Sequence, residues 1–359
     1  MTTRRDFLGA AAAAATLVPQ TLRAQAQKPD AAAAPADGYV IVTSANGLEA
    51  AKAAGQALIQ GKDPLDAAIV GVNVVELDPE DVTVGYGGIP NEDGVVELDA
   101  CVMDGRTMKA GAVGALTGVK TPSKVARLVM ERTDRVFLVG EGARRFATAH
   151  GFANENLLTE RSRKIWLFWK ERLSAKDDWI EAGKEAEDAD VKWFIKKYGD
   201  EMFRPQGTIH LSVRSAKGEL VGVTTTSGLF FKLPGRLGDS PVVGAGIYAE
   251  GGVGSAGSTG RGEANLVTCG SHTVVEGLRS GKSPEEACLA ALKRIADKTH
   301  LVPRHRDALG RPKFDVNFYC VDARGRTGGA SIWSGGRHVV GDGSGVRTVD
   351  SAYLYKRAT

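Results

Sequence analysis

The sequence predicts an α+β protein in which two β-sheets pack face to face with helices outside. Three observations predict it. Helix-start signatures recur at Asn46 to Glu49, Asp63-Pro64, Thr121-Pro122 and Ser283-Pro284-Glu285-Glu286. Between them lies a hairpin whose arms, residues 208–213 and 220–226, alternate cleanly between two faces. Strand-like runs stand on both sides of that hairpin, so helices and strands are interleaved along the chain.

The chain begins with an address. Thr3-Arg4-Arg5-Asp6-Phe7-Leu8 is a twin-arginine motif, residues 9–18 are apolar, and Ala24-Gln25-Ala26 is a small-x-small cleavage site. Residues 1–26 are expected to be a removable Tat signal, which sends the protein to the periplasm or beyond. The apolar run is too short to remain as a membrane span, and no later run approaches the roughly 18 apolar residues that a span needs. Losing these residues removes three arginines and one aspartate, so the net charge falls from +3 to +1. A near-neutral chain gives no electrostatic case for nucleic acid or an anionic membrane. Residues 27–38 read as a flexible leader.

The first strand is residues 39–43. Asn46 and Glu49 have capping-box spacing before a helix to about residue 61, with Leu48, Ala51, Gly55, Leu58 and Ile59 on one face. Asp63-Pro64 places a cap and then proline at the first helical position of the next helix. Residues 95–103 read as a strand behind the turn Asn91-Glu92-Asp93-Gly94. Thr121-Pro122 opens another helix, followed by a strand at 136–139 and a helix from about 142. Residues 154–205 are highly charged and carry four of the five tryptophans, Trp166, Trp169, Trp179 and Trp193. Such a segment either docks a partner or packs its aromatics on its own domain; the second reading is the commoner one.

The hairpin fixes its own register. In the first arm Ile209, Leu211 and Val213 share one face, and Thr208, His210 and Ser212 the other. Centring the turn on Lys217 pairs Val213 with Val221, Leu211 with Val223 and Ile209 with Thr225. The polar face then pairs Ser212 with Gly222, His210 with Thr224 and Thr208 with Thr226. A one-residue slip would mix the faces. Later, Ser283-Pro284-Glu285-Glu286 opens a helix to about residue 298, residues 314–321 form a strand, and 331–333 and 337–340 read as edge strands.

Most familiar constellations are missing. The six histidines form no H-E-x-x-H pattern and no zinc-like pairing with cysteine. Cys101, Cys269, Cys288 and Cys320 form no C-x-x-C pair and are expected to be buried thiols. No G-x-S-x-G elbow or phosphate loop is present. Gly244-Ala245-Gly246-Ile247-Tyr248-Ala249 matches a dinucleotide fingerprint, but the sequence after it is a poor helix, so the phosphate-binding helix end is lacking. No cofactor and no metal are expected. What remains lies downstream of Thr208. Arg236 and Asp239, in the turn-rich loop at 235–241, are a cation and an anion that suit the carboxylate and amine of an amino acid. The run at 255–262 offers backbone N–H groups and hydroxyls for an oxyanion hole.

These residues match a family pattern. Gly207-Thr208-Ile209, Thr224-Thr225-Thr226-Ser227-Gly228, Gly235-Arg236-Leu237-Gly238-Asp239-Ser240-Pro241, Gly244 to Ala249 and Thr259-Gly260 occur in order. Upstream, Val84-Gly85-Tyr86-Gly87-Gly88-Ile89-Pro90 and Leu98-Asp99-Ala100-Cys101-Val102-Met103-Asp104-Gly105 belong to the same pattern. Over residues 39–340 the chain resembles the N-terminal-nucleophile (Ntn) asparaginases, most of all the glycosylasparaginases. The resemblance implies a four-layer αββα sandwich of two mainly antiparallel sheets between helical layers. It implies a precursor that cleaves itself between Gly207 and Thr208, giving an α chain (39–207, ending in the charged linker 154–207) and a β chain (208–359). It implies Thr208 as nucleophile, Thr226 as the threonine that orients it, Thr259 and Gly260 as oxyanion hole, and Arg236 and Asp239 as substrate anchors. The substrate would be a small asparagine derivative, and the processed units would associate as a homo-oligomer. Two positions depart from glycosylasparaginases: Gly207 stands where they carry aspartate, and Ser44 where they carry a tryptophan lining the substrate site. Glycine before the cut is typical of plant-type asparaginase/isoaspartyl peptidases, and Ser44 is expected to give a roomier or more polar pocket. Three readings follow: hydrolysis of N4-substituted asparagine, hydrolysis of asparagine or β-aspartyl peptides, and a non-processing exported binding protein.

Overall fold

Thirteen strands and nine α-helices are assigned among residues 38–174, 187–199 and 206–357, which a computed structural model describes. The signal at 1–26, nearly all of the leader, and parts of the charged linker, with Trp179, lie outside the described residues.

The larger sheet is built on β5 (Gln206–Arg214) and β6 (Leu220–Leu229). Its eight strands run β12-β11-β1-β5-β6-β2-β3-β4, where β1 is Val40–Ser44, β2 Leu98–Asp104, β3 Lys109–Leu116, β4 Phe137–Val139, β11 Arg337–Asp342 and β12 Gly345–Asp350. The smaller sheet runs β13-β10-β9-β8-β7, with β7 Ile247–Glu250, β8 Gly254–Gly260, β9 Val316–Asp322, β10 Thr327–Trp333 and β13 Ala352–Tyr355. Pairing is antiparallel except β3 with β4 and β10 with β13. Helices α1 (Leu48–Ile59), α2 (Pro64–Glu76) and α3 (Pro122–Arg132) share an apolar core with one face of the larger sheet. Helices α8 (Gly270–Arg279) and α9 (Pro284–Thr299) share a second core with the outer face of the smaller one. The layers are therefore α, β, β, α, the sandwich that the resemblance implied.

The hairpin holds its expected register from Arg214 to Ile209. Ile209, Leu211 and Val213 point into the helix-side core, fully buried. His210 and Ser212 point at the other sheet, where Ser212 Oγ meets Ser255 Oγ at 2.6 Å. The turn closes through Gly218 N donating to Ser215 O at 2.9 Å, with Gly218 at φ +80°.

Helix starts were legible unevenly. Asp63 caps α2 by accepting from Leu65 N at 2.9 Å, and Ser283 and Glu286 form the full capping box of α9. Asn46 does not cap α1; Gly47 stands there, and the Asn46 side chain is spent elsewhere. The buried face of α1 is Ala50, Ala51, Ala54, Gly55 and Ala57, while Ile59 is 75% exposed, because close packing against α2 favours small residues over the larger ones. Residues 331–333 and 337–340 belong to interior strands, since β13 and β12 cover what would have been edges. Cys101, Cys288 and Cys320 are buried as expected; Cys269 is exposed at the start of α8. Among the described residues of the linker, aromatics pack on their own domain: Trp169 stacks on Phe231 at 4.4 Å, within a cluster that includes Ile165, Phe194 and Phe230.

Candidate active site

The site forms where the regular register ends. Gly207 pairs with Gly228 and Ile209 with Thr225, so Thr226 and Ser227 together oppose Thr208. The simple Thr208–Thr226 pair expected from the hairpin is replaced by a β-bulge. Bulges re-aim side chains at the point where pairing is broken. Here the extra residue lets Ser227 leave the ladder and donate from its backbone N and its hydroxyl to Thr83 O, at 3.2 and 2.8 Å. Thr226 meanwhile donates its hydroxyl to the carbonyl oxygen of Gly207 in a short hydrogen bond, and accepts from Gly228 N at 2.9 Å. That carbonyl belongs to the Gly207–Thr208 peptide.

Thr208 itself is buried, and its own carbonyl accepts from Asn46 Nδ2 at 3.3 Å. Asn46 is held in turn by Ser44, which donates to Asn46 Oδ1 at 2.7 Å and accepts from His210 N at 3.2 Å. Ser44 is thus a buried link to Thr208 and is not among the residues lining the cavity of the intact chain. His210 is fully buried beside Gly257. Thr224 Oγ1 donates to Gly246 O at 3.1 Å, so the His210 Nδ1 that meets Thr224 Oγ1 at 2.8 Å carries the proton. Nε2 is left to accept from Ser212 at 2.7 Å. Burial pushes the His210 imidazole down to about 3, so it stays neutral.

Gly207, Thr208, Thr226, Arg236, Asp239 and Gly260 line one cavity. Thr259 is not among the lining residues; its hydroxyl meets the buried Tyr319 hydroxyl at 2.9 Å. The run 255–262 is no loop of converging amides. Residues 255–260 belong to the interior strand β8, Gly262 opens the helix that follows, and Gly260 and Gly262 reach the cavity. There Gly260 sits at φ +109°, where a Cβ would lie 2.9 Å from Val316 Cα. Gly244 to Ala249 is a turn entering β7, and Gly246 N donates to Asp239 O at 3.1 Å.

The two expected anchors behave differently. Asp239 is buried, and its Oδ2 accepts from Ser258 Oγ at 2.5 Å and Asn265 Nδ2 at 2.7 Å. Burial raises its carboxyl despite these bonds and the nearby Arg236. The Arg236 guanidinium is engaged by Glu263, with Nε and Nη2 at 2.9 and 2.6 Å from the same Oε1. Burial works against the Glu263 carboxylate, yet Arg236 holds it below its usual range. Ser258, Glu263, Asn265 and Tyr319 were missed from sequence; the first three fall beside the matched Thr259-Gly260 pair, and only the fold brings Tyr319 there.

A buried charge cluster backs the site from β2. Asp99 pairs with Thr226 across the strands. Lys232 Nζ lies 3.8 Å from Glu97, 4.0 Å from Asp99 Oδ2, and donates to Glu97 O at 3.1 Å. Burial raises the Asp99 carboxyl, and Lys232 opposes the rise. Among the described residues no group of three His, Cys, Asp or Glu side chains is arranged to hold a metal ion.

Comparison with known proteins gives a consistent result. The family model described as "Asparaginase" matches residues 36–302. An N(4)-(β-N-acetylglucosaminyl)-L-asparaginase of Elizabethkingia miricola is 36% identical over 98% of this chain and 96% of its own length. The mouse (Mus musculus) protein of that name is 38% identical over 68% of this chain and 74% of its own. A probable isoaspartyl peptidase/L-asparaginase 3 of Arabidopsis thaliana is 35% identical over 72% of this chain and 78% of its own.

Proposed function

The chain belongs to the asparaginase family as a glycosylasparaginase-like amidohydrolase, and from that premise we propose that it severs itself before Thr208 and then hydrolyses the side-chain amide of an N4-substituted asparagine, releasing aspartate. One observation carries the reading: Thr226 donates its hydroxyl to the carbonyl of the peptide that would be cut. A donor fixed on that oxygen stabilises the charge that develops when the carbonyl carbon is attacked.

In the first reaction Thr208 Oγ adds to the Gly207 carbonyl carbon and the C–N bond breaks. The nitrogen leaves as the Thr208 amine and an ester remains. Water hydrolyses the ester to a Gly207 carboxylate and restores the hydroxyl. The intact chain leaves a cavity of about 10 Å³. That holds roughly one water, so an aspartyl side chain has room only once Gly207 withdraws. In the second reaction the freed α-amine, whose unperturbed pKa is about 7.7–8.0, takes the hydroxyl proton as Thr208 Oγ attacks the substrate amide. The amine leaving group departs with a proton, and water resolves the β-aspartyl ester. Arg236, released from Glu263, would grip the α-carboxylate, Asp239 the α-ammonium, and the Thr259-Gly260 end of β8 the oxyanion.

Gly207 supports a second reading, a plant-type asparaginase or β-aspartyl peptidase, and the Arabidopsis relative agrees with it. Aspartate release from glycosyl-asparagine against β-aspartyl dipeptides decides between them. Residues 1–26 are proposed to direct export, and the processed units to associate. Purified protein should migrate as two chains, one starting near Gln27 and the other at Thr208. Thr208→Ala should remain a single chain and lose hydrolysis by at least about a thousandfold. A parent that stays whole under all conditions would instead indicate an exported binding protein.

A further inference from the structure

Gly207 raises a question that the self-cleavage reading leaves open: what demands glycine before the cut, where glycosylasparaginases carry aspartate. Backbone conformation does not demand it, because Gly207 is absent from the glycines with positive φ. Space does. A Cβ on Gly207 would overlap Thr83 Cβ and Oγ1, and would lie 2.7 Å from Thr83 Cγ2. Thr83 cannot turn aside cheaply. Its hydroxyl donates to Asp81 Oδ1 at 2.6 Å and its backbone N to the same oxygen at 2.7 Å. Its carbonyl is held from the other side by Ser227 N at 3.2 Å and Ser227 Oγ at 2.8 Å. Ser227 is the residue that the bulge beside Thr226 turns out of the ladder. Thr83 is therefore tied to Ser227, one of the two residues of β6 that face the cut.

We propose that Thr83, locked by Asp81 and Ser227, is a positioning residue for self-cleavage: it braces Gly207 so that the peptide carbonyl meets Thr226 Oγ1, and it is the reason this chain carries glycine there. The inference rests on the self-cleavage reading. Thr83 touches the residue before the cut and acts through it, with no part in the bond changes themselves. A wall at this spot fixes one placement of the carbonyl, and misplacement by about 1 Å can cost roughly a hundredfold in rate.

The test follows conversion of freshly purified full-length precursor on denaturing gels for the parent, Gly207→Asp, Thr83→Gly and the Thr83→Gly/Gly207→Asp double variant. Gly207→Asp should convert about a hundredfold more slowly, Thr83→Gly about tenfold more slowly, and the double variant at least about tenfold faster than Gly207→Asp. Near-parental conversion of either single variant overturns the proposal. So does a double variant that stays as slow as Gly207→Asp, because the obstacle would then lie elsewhere. Melting of the same substitutions on a Thr208→Ala background reads the contact without cleavage. Gly207→Asp should lower the midpoint by roughly 5 °C and Thr83→Gly should restore part of that loss. If the parent does not convert, the self-cleavage reading fails by itself, and the absence of any compensation in these midpoints overturns the Thr83–Gly207 pairing separately.

Discussion

The two faces of the β5–β6 hairpin are made from the same two strands and do opposite work. Toward the helices, Ile209, Leu211, Val213, Val221 and Val223 are fully buried and apolar. Toward the second sheet stand Thr208, His210, Ser212, Thr224 and Thr226; the hydroxyls of the last three and the His210 imidazole bond to one another, to Ser255 and to main-chain carbonyls. The apolar face makes any slip of register costly, and that fixed register is what allows the polar face to hold donors to a few tenths of an ångström. The bulge lies at Thr208, one residue before the apolar face begins with Ile209. Precision on one side is thus a consequence of burial on the other.

This division can be broken face by face. On the polar side, Thr226→Val keeps the shape and removes the donor to Gly207 O. Precursor conversion should slow by about 10²–10³-fold, with little change in melting, as for loss of one oxyanion donor. An unchanged rate would detach Thr226 from the chemistry. On the apolar side, Leu211→Ala should reverse the pattern. It should cost about 3 kcal/mol in denaturant unfolding of the unprocessed Thr208→Ala form, while conversion in the otherwise native chain keeps its rate.

A third variant separates the faces by pH. Glu76 ends α2 buried on the helix side, where Asn73 Nδ2, Ser123 N and Ser123 Oγ donate to it. Burial nevertheless pushes its carboxyl up to about 7. The folded form then holds a proton that the unfolded chain releases near its ordinary carboxyl range. The contribution is fully present below about pH 4.5 and is lost as pH rises through 7, by up to about 3 kcal/mol. Stability measured against pH for the parent and Glu76→Gln should diverge over that window, and parallel curves would remove Glu76 from the account. The smallest effect is expected at Asn46. Asn46→Ala removes its bond to Thr208 O and should slow conversion roughly fivefold, the equivalent of about 1 kcal/mol.

What could be read from the sequence follows the same division. The alternation of residues 209–213 and 221–225 is a local pattern enforced by one buried face, so the register came out correctly as far as Ile209. The four-layer order followed from the family pattern together with interleaved helices and strands. The bulge was hidden because its cause, the pull of Thr83 on Ser227, joins residues far apart in the chain. Asn46 has the spacing of a helix cap, and nothing local says that Thr208 would claim its side chain. Strand β8 was hidden by its composition. Gly254 to Gly260 carries a single β-branched residue, Thr259, and none of the aromatics that usually mark strands. It needs small residues because the facing sheet comes close: a Cβ on Gly257 would overlap the His210 ring.

The strand order has a consequence for the severed molecule. From β11 to β2 the larger sheet reads β11-β1-β5-β6-β2, with β1 and β2 from before Thr208, β5 containing it, and β6 and β11 from after it. A cut at Thr208 would leave two polypeptides interleaved through shared ladders. Folding would begin with one chain whose parts are tethered; after such a cut, unfolding would release two pieces that must find each other in solution. The order of events is then irreversible in practice. A molecule cut in this way could be assembled only beforehand, and its lifetime afterwards would be set by how slowly it comes apart.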